Sequence, residues 1–87
     1  MAYKGRIGTK ETERHYPHIV ELVVPLKGFG TKLNDMHRWH STRGILSHRG
    51  SGRYDEGRHY VRWCFADPND AKEFQAEFGG ELIRPST

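Results

Sequence analysis

Residues 58–80 read RHYVRWCFADPNDAKEFQAEFGG, and no other stretch restricts the fold as tightly. Val61, Trp63 and Phe65 alternate with Tyr60, Arg62 and Cys64, the period-two pattern of a strand with one buried face. Aromatic and β-branched residues favour that state because they pack well on a pleated surface. Asp67 follows, an acceptor for the first helical N–H groups. Pro68 suits the first helical position, where its missing N–H costs nothing. Asp70 adds a carboxylate in the positive first turn. Ala71, Phe74 and Phe78 then fall on one helical face. Gly79-Gly80 stops the helix, since glycine takes the left-handed C-terminal position at little cost.

The rest of the chain arranges itself around this unit. His18 to Pro25 (HIVELVVP) reads as a strand, with Val20, Leu22 and Val24 toward the core and Ile19, Glu21 and Val23 on the other side. Residues 27–30 are a loop. Thr31 is the expected N-cap of a helix running to about Arg43, with Leu33, Met36 and His40 on one face and Trp39 beside it. Gly44 ends that helix. Ile45 to Arg49 is a short strand, Gly50 to Gly57 a flexible glycine-rich connection, and Glu81 to Arg84 a last short strand. The order β-α-β-β-α-β predicts a ferredoxin-like α+β fold, a four-stranded antiparallel sheet with two helices on one face. Residues 1–16 are polar and aperiodic and are expected to form a flexible N-terminal tail, leaving 17–87 as the single domain.

Composition narrows the setting. The chain has 87 residues, enough for one domain, and only 34% are hydrophobic, so the core is modest. Cys64 is its one cysteine, which excludes an internal disulfide. The opening residues contain no apolar run of signal-peptide length, and no stretch approaches the ~20 apolar residues that span a bilayer. A soluble cytoplasmic protein with no membrane association is the expectation. The net charge is +3, but it is unevenly spread. Between His37 and Arg62 six arginines and four histidines face only Asp55 and Glu56. Such a stretch is either a solvated basic surface or an anion site, with nucleic acid the leading anion.

In the expected fold the sheet face away from the helices carries Ile19, Glu21, Val23, Arg58, Tyr60, Arg62 and Cys64. RNA-recognition domains stack bases on aromatics of this face. Residues 56–63 resemble their strand motif in part. Gly57, Tyr60 and Val61 match it and Trp63 stands in at its last position, whereas Glu56 and Arg58 replace a basic and an aromatic residue. RNA or single-stranded DNA would then be held by Arg58, Tyr60 and Arg62, with phosphate contacts from Arg49 and Arg53. Ile19 and Val23 beside Tyr60 suggest the alternative, a face covered by a second copy in a homodimer.

Nothing points to catalysis, a metal or a cofactor. His15/His18 and His37/His40 each lack the third and fourth ligands that zinc requires, and His40 falls on the apolar stripe as a hydrogen-bonded residue at the core edge. Cys64 lies between Trp63 and Phe65 in a strand, with no base beside it in sequence. Gly50-Ser51-Gly52-Arg53 lacks the Gly-Lys-Ser/Thr ending of a phosphate loop. The expected function is that of a small basic binding module for nucleic acid or another polyanion. The alternative is a non-catalytic homo-oligomeric or protein–protein interaction domain.

Overall fold

The computed structural model describes residues 9–83. The first eight residues of the expected tail, and Arg84 of the expected last strand, lie outside them. The described chain is α+β: three helices and an open antiparallel sheet of five strands. In order these are α1 (Thr9–His15), β1 (His18–Val24), α2 (Thr31–Thr42), β2 (His48–Arg49), β3 (Arg53–Asp55), β4 (Arg58–Phe65), α3 (Pro68–Phe78) and β5 (Glu81–Ile83). The sheet runs β2-β4-β1-β5, and β3 also pairs with β4. β1 occupies one edge of β4 along residues 59–65, so β2 and β3 share the other edge in tandem.

Several expectations change. The glycine-rich connection contains a strand, β3, which returns through Glu56 and Gly57. Both have positive φ, 51° and 80°, as a two-residue type I′ hairpin turn requires. The strand expected over 45–49 shrinks to His48–Arg49, because only these two residues pair with β4. Residues 9–15, assigned to the flexible tail, form α1, and their Thr12 and Glu13 are buried. The second helix also begins differently. Its N-cap is Gly30 rather than Thr31, and no side chain caps it.

The helix containing Pro68 begins and ends where its residues dictate. Asp67 accepts from the Asn69 N–H at 2.9 Å, and Gly79 closes the last turn with φ 86°. Between α2, α3 and one sheet face lies a core of Val20, Leu22, Met36, Trp39, Trp63, Phe65, Ala71 and Phe74. Leu33, Val61 and Phe78 pack against it. Trp39 meets Phe65 and Phe74 edge to face at 5.9 and 5.1 Å between centroids, geometries that add to burial through the ring quadrupoles.

His40 lies within this aromatic cluster rather than at its edge, only 3% exposed. Its ring stacks on Phe65 at 5.5 Å, and its Nδ1 lies 2.9 Å from the Met36 carbonyl oxygen. That acceptor assigns the proton to Nδ1. Burial pushes His40 below its ordinary value, against the opposing effect of the Met36 bond. Burial also lowers His48.

Two outcomes follow from this core. Trp63 is fully buried, so Trp63→Ala should cost about 3–5 kcal/mol, whereas Leu46→Ala, on a side chain 79% exposed, should leave the denaturant midpoint unchanged. The lowered histidines set a pH dependence. The unfolded chain binds more protons than the folded one once pH falls below 6.5, so this stability is fully present above that value and is lost as pH drops toward the folded pKa values. Thermal melts from pH 8 to 5 should show it, and His40→Leu should flatten the curve to the part due to His48.

Candidate interaction surface

Strand alternation places Arg58, Tyr60, Arg62 and Cys64 on the sheet face opposite α2 and α3. The register adds Ile19, Glu21 and Val23 from β1, opposite Cys64, Arg62 and Tyr60. β3 brings Arg53 opposite Tyr60, and Asp55 opposite Arg58. Four of the five expected site residues therefore share this far face: Arg53, Arg58, Tyr60 and Arg62. Arg49 does not. It pairs opposite Trp63, and its guanidinium carbon lies 4.6 Å from the Trp63 ring centroid, on the helix side.

The centre of the far face is Glu21. Its side chain is 6% exposed. It accepts a two-pronged bond from Arg53, Nε to Oε2 and Nη2 to Oε1, both 3.0 Å. It also accepts from Arg62 Nε at 3.1 Å. Bidentate pairing of this kind is strong and geometrically specific. The hydrogen bonds and charge of Arg53, and then those of Arg62, hold the Glu21 carboxyl below its ordinary 4.5 against the opposing effect of burial. Arg62 continues the lattice, its Nη1 lying 3.2 Å from both carboxylate oxygens of Glu13 in α1. Burial works to lower Arg62, but Glu21 and Glu13 outweigh it and its pKa is raised. At the outer end Arg53 Nη1 reaches Asp55 at 3.3 Å. Its guanidinium also covers Tyr60, 3.9 Å from the ring centroid.

α1 lies over the other end of the face. Glu13 Oε2 accepts the Ser51 N–H at 2.7 Å, and Tyr16 stacks on His48 at 3.8 Å. Ile19 and Cys64, expected on an open face, are 0% and 1% exposed. Burial is the main cause that pushes the Cys64 thiol up to about 12, with the Glu13 charge adding to it. The thiol is protonated at neutral pH and is a poor nucleophile. What stays open is the other end, a shallow cleft of about 450 Å³ lined by Val23, Arg53, Arg58, Tyr60 and Gly80 among others. Arg58 is exposed there and, among the described residues, has no ion pair.

Among the described residues no group of three histidines, cysteines or carboxylates is placed to hold a metal ion, and no helix is long and apolar enough to cross a membrane. No family model, curated protein or solved structure matches the chain.

Sequence reasoning found Arg58, Tyr60 and Arg62 through alternation, offered Arg53 only as a phosphate contact from the glycine-rich connection, and missed the carboxylates that hold Arg53 and Arg62. Glu21 carried a usable signal. A charge in the middle of HIVELVV, in a central strand, needs a partner. Glu13 carried none, because TKETERH has no apolar stripe to mark it as docked.

Removing Glu21 should be costly because Arg62, itself only 22% exposed, loses one of its two carboxylates. Glu21→Ala is expected to destabilise by about 1–3 kcal/mol. Asp55→Ala, on a side chain 59% exposed, should melt like the wild type. The lowered Glu21 pKa contributes stability that is present above pH 4.5 and lost as pH falls below it. Glu21→Gln should remove that acid-side loss in urea titrations.

Proposed function

We propose that the protein is a non-catalytic interaction module that associates with a second copy through the open end of its far face. The observation that carries this reading is the charge balance there. The guanidiniums of Arg53, Arg58 and Arg62 share the face with the carboxylates of Glu13, Glu21, Asp55 and Glu81, the register partner of Glu21, three against four, and Arg53 and Arg62 are already bound. A phosphate reaching Arg62 must displace Glu13 or Glu21 and strand a carboxylate at a mostly buried site, the costly way to open an ion pair. A mixed-charge surface with no positive excess attracts a polyanion little. It suits a protein surface of the same kind.

Val23, 45% exposed beside the half-buried Tyr60, supplies the apolar centre of such a contact. Two copies related by a two-fold axis would set Arg58 of one against the Asp55 end of the other. The buried thiol of Cys64 supports a reading without nucleophilic catalysis, and a single reduced cysteine suits a cytoplasmic setting.

The strand order supports a finer reading of the fold. From β1 to β5 the chain fits a ferredoxin-like βαββαβ core in which β2 and β3 together take the place of one edge strand and α1 is an addition.

A second reading keeps RNA or single-stranded DNA as the ligand. Arg58 is free to meet a phosphate, and the Arg53 guanidinium over Tyr60 makes a flat cationic platform on which a base can stack. It retains Arg58, Tyr60 and Arg53 of the expected site, whereas Arg62 is held by carboxylates and Arg49 lies on the other side of the sheet.

Sedimentation at low and high salt, paired with titration of labelled RNA and single-stranded DNA, separates the two. Self-association is expected to survive high salt, to be abolished by Val23→Asp and to be unaffected by nucleic acid. A monomer at every salt concentration that binds single strands, with Arg58→Ala lowering the salt slope by about 0.7, would establish the second reading instead.

A further inference from the structure

We infer that α1 is an electrostatic latch: a polar cover that Glu13 fastens over one end of the far face and that opens as a unit while the sheet stays folded. The composition of α1 is the first reason. TKETERH has no aliphatic residue, and among the described residues the core cluster beneath α2 and α3 includes none of α1. A seven-residue helix does not persist alone in water, where about 12–15 residues are needed for even marginal helicity. Its structure therefore depends on docking, and its docking is polar.

Among the described residues, most side-chain contacts of α1 meet at Glu13, beside the buried Thr12. Glu13 accepts from Arg62 Nη1 at 3.2 Å through both oxygens and from the Ser51 N–H at 2.7 Å. Thr9 Oγ1 accepts from Ser51 Oγ at 2.9 Å at the exposed edge. The Tyr16–His48 stack lies at the hinge, two residues before β1. By contrast β1 and β4 are joined along seven residue pairs and rest on the aromatic core. A unit held mainly by polar side chains, with no aliphatic residue of its own, is of the kind that opens sub-globally.

Gly50 shows how closely the latch fits. A Cβ there would lie 2.5 Å from Glu13 Oε2 and 3.0 Å from Cys64 Sγ. Glu13 thus sits directly above Cys64, in a seat that only glycine at position 50 leaves free. Opening uncovers Arg62, His48 and Cys64 and joins them to the exposed end at Tyr60 and Arg58, enlarging the surface offered to a partner. That purpose rests on the interaction reading above. The opening itself rests on the contacts alone.

Cys64 reports the opening directly, since it is the single cysteine of the chain. In the full chain, Glu13→Gln keeps the shape and removes the charge. Its Cys64 should react with a small neutral thiol reagent at least about tenfold faster than wild type, the effect of losing a charged hydrogen bond, with far-UV circular dichroism and the melting transition of the sheet retained. Gly50→Ala, which pushes Glu13 out of its seat, should reproduce this. In the wild type, the Tyr16 amide, bonded to the Thr12 carbonyl at 2.8 Å, should exchange with deuterium at least about tenfold faster than the paired amides of β1 and β4. A Tyr16 amide as protected as those strands overturns the latch. So does a Cys64 rate in both variants that rises only in step with loss of the sheet's circular dichroism. Neither readout involves a partner, so the latch can fail while self-association stands, and the reverse.

Discussion

The far side of this sheet depends on one buried carboxylate. Glu21 lies in β1, a strand with neighbours on both edges, and its side chain cannot reach bulk water without leaving the sheet. A charge there must be met by opposite charge. The β1–β4 register supplies Arg62 directly across, and the Glu56-Gly57 turn folds β3 back so that Arg53 reaches Glu21 from the next strand. Arg62 in turn needs a second acceptor, and α1 provides it through Glu13. A slip of one residue between β1 and β4 would drive Glu21 into the aromatic core and Val20 out of it, so the ion lattice and the core select the same register.

The two faces of the sheet are held by different physics. On the helix side, Trp63, Phe65, Phe74 and Trp39 contribute apolar area, and even His40 is held neutral among them. On the far side, directional bonds between fixed charges decide which side chains are free. Arg53 and Arg62 look like ligand-binding residues in sequence because their partners are far away along the chain, at Glu21 and Glu13. With Glu81 opposite Glu21, the face carries no excess of positive charge where a basic one was expected. At the end α1 does not reach, the open elements are Arg58 and Val23, with the half-buried Tyr60 beneath the Arg53 guanidinium.

Much of the fold was legible because its signals are local. Alternation in 58–65, the Asp67-Pro68 cap, the Phe74/Phe78 stripe and the Gly79 stop each depend on neighbours within a few residues, and each appears in place. β3 was not legible. Its hairpin turn uses Glu56 at positive φ, which that residue type seldom adopts, so the stretch reads as loop. α1 was not legible either, because a helix docked through polar side chains leaves no apolar periodic trace. The membership of the site could be read from side-chain alternation for Arg58, Tyr60 and Arg62. Its electrostatics could not, since the separations from Arg62 to Glu21 and Glu13 are 41 and 49 residues and only the folded register closes them. Arg49 was misplaced for a related reason: the face of a two-residue strand is set by its pairing with Trp63, not by a pattern of its own.

The central claim is that Arg53 and Arg62 are bound within the molecule while Arg58 is free. Solution NMR of the arginine Nε–H groups tests it most directly. If the carboxylates of Glu21 and Glu13 hold these side chains, the Nε–H signals of Arg53 and Arg62 are resolved, slowly exchanging and shifted at neutral pH, and that of Arg58 is averaged and fast. Their protection then collapses as pH is lowered through the depressed titration of Glu21, below 4.5. Averaged, rapidly exchanging signals from Arg53 and Arg62 at neutral pH, indistinguishable from Arg58, would contradict the lattice and return the far face to the basic, open surface that the sequence alone suggests.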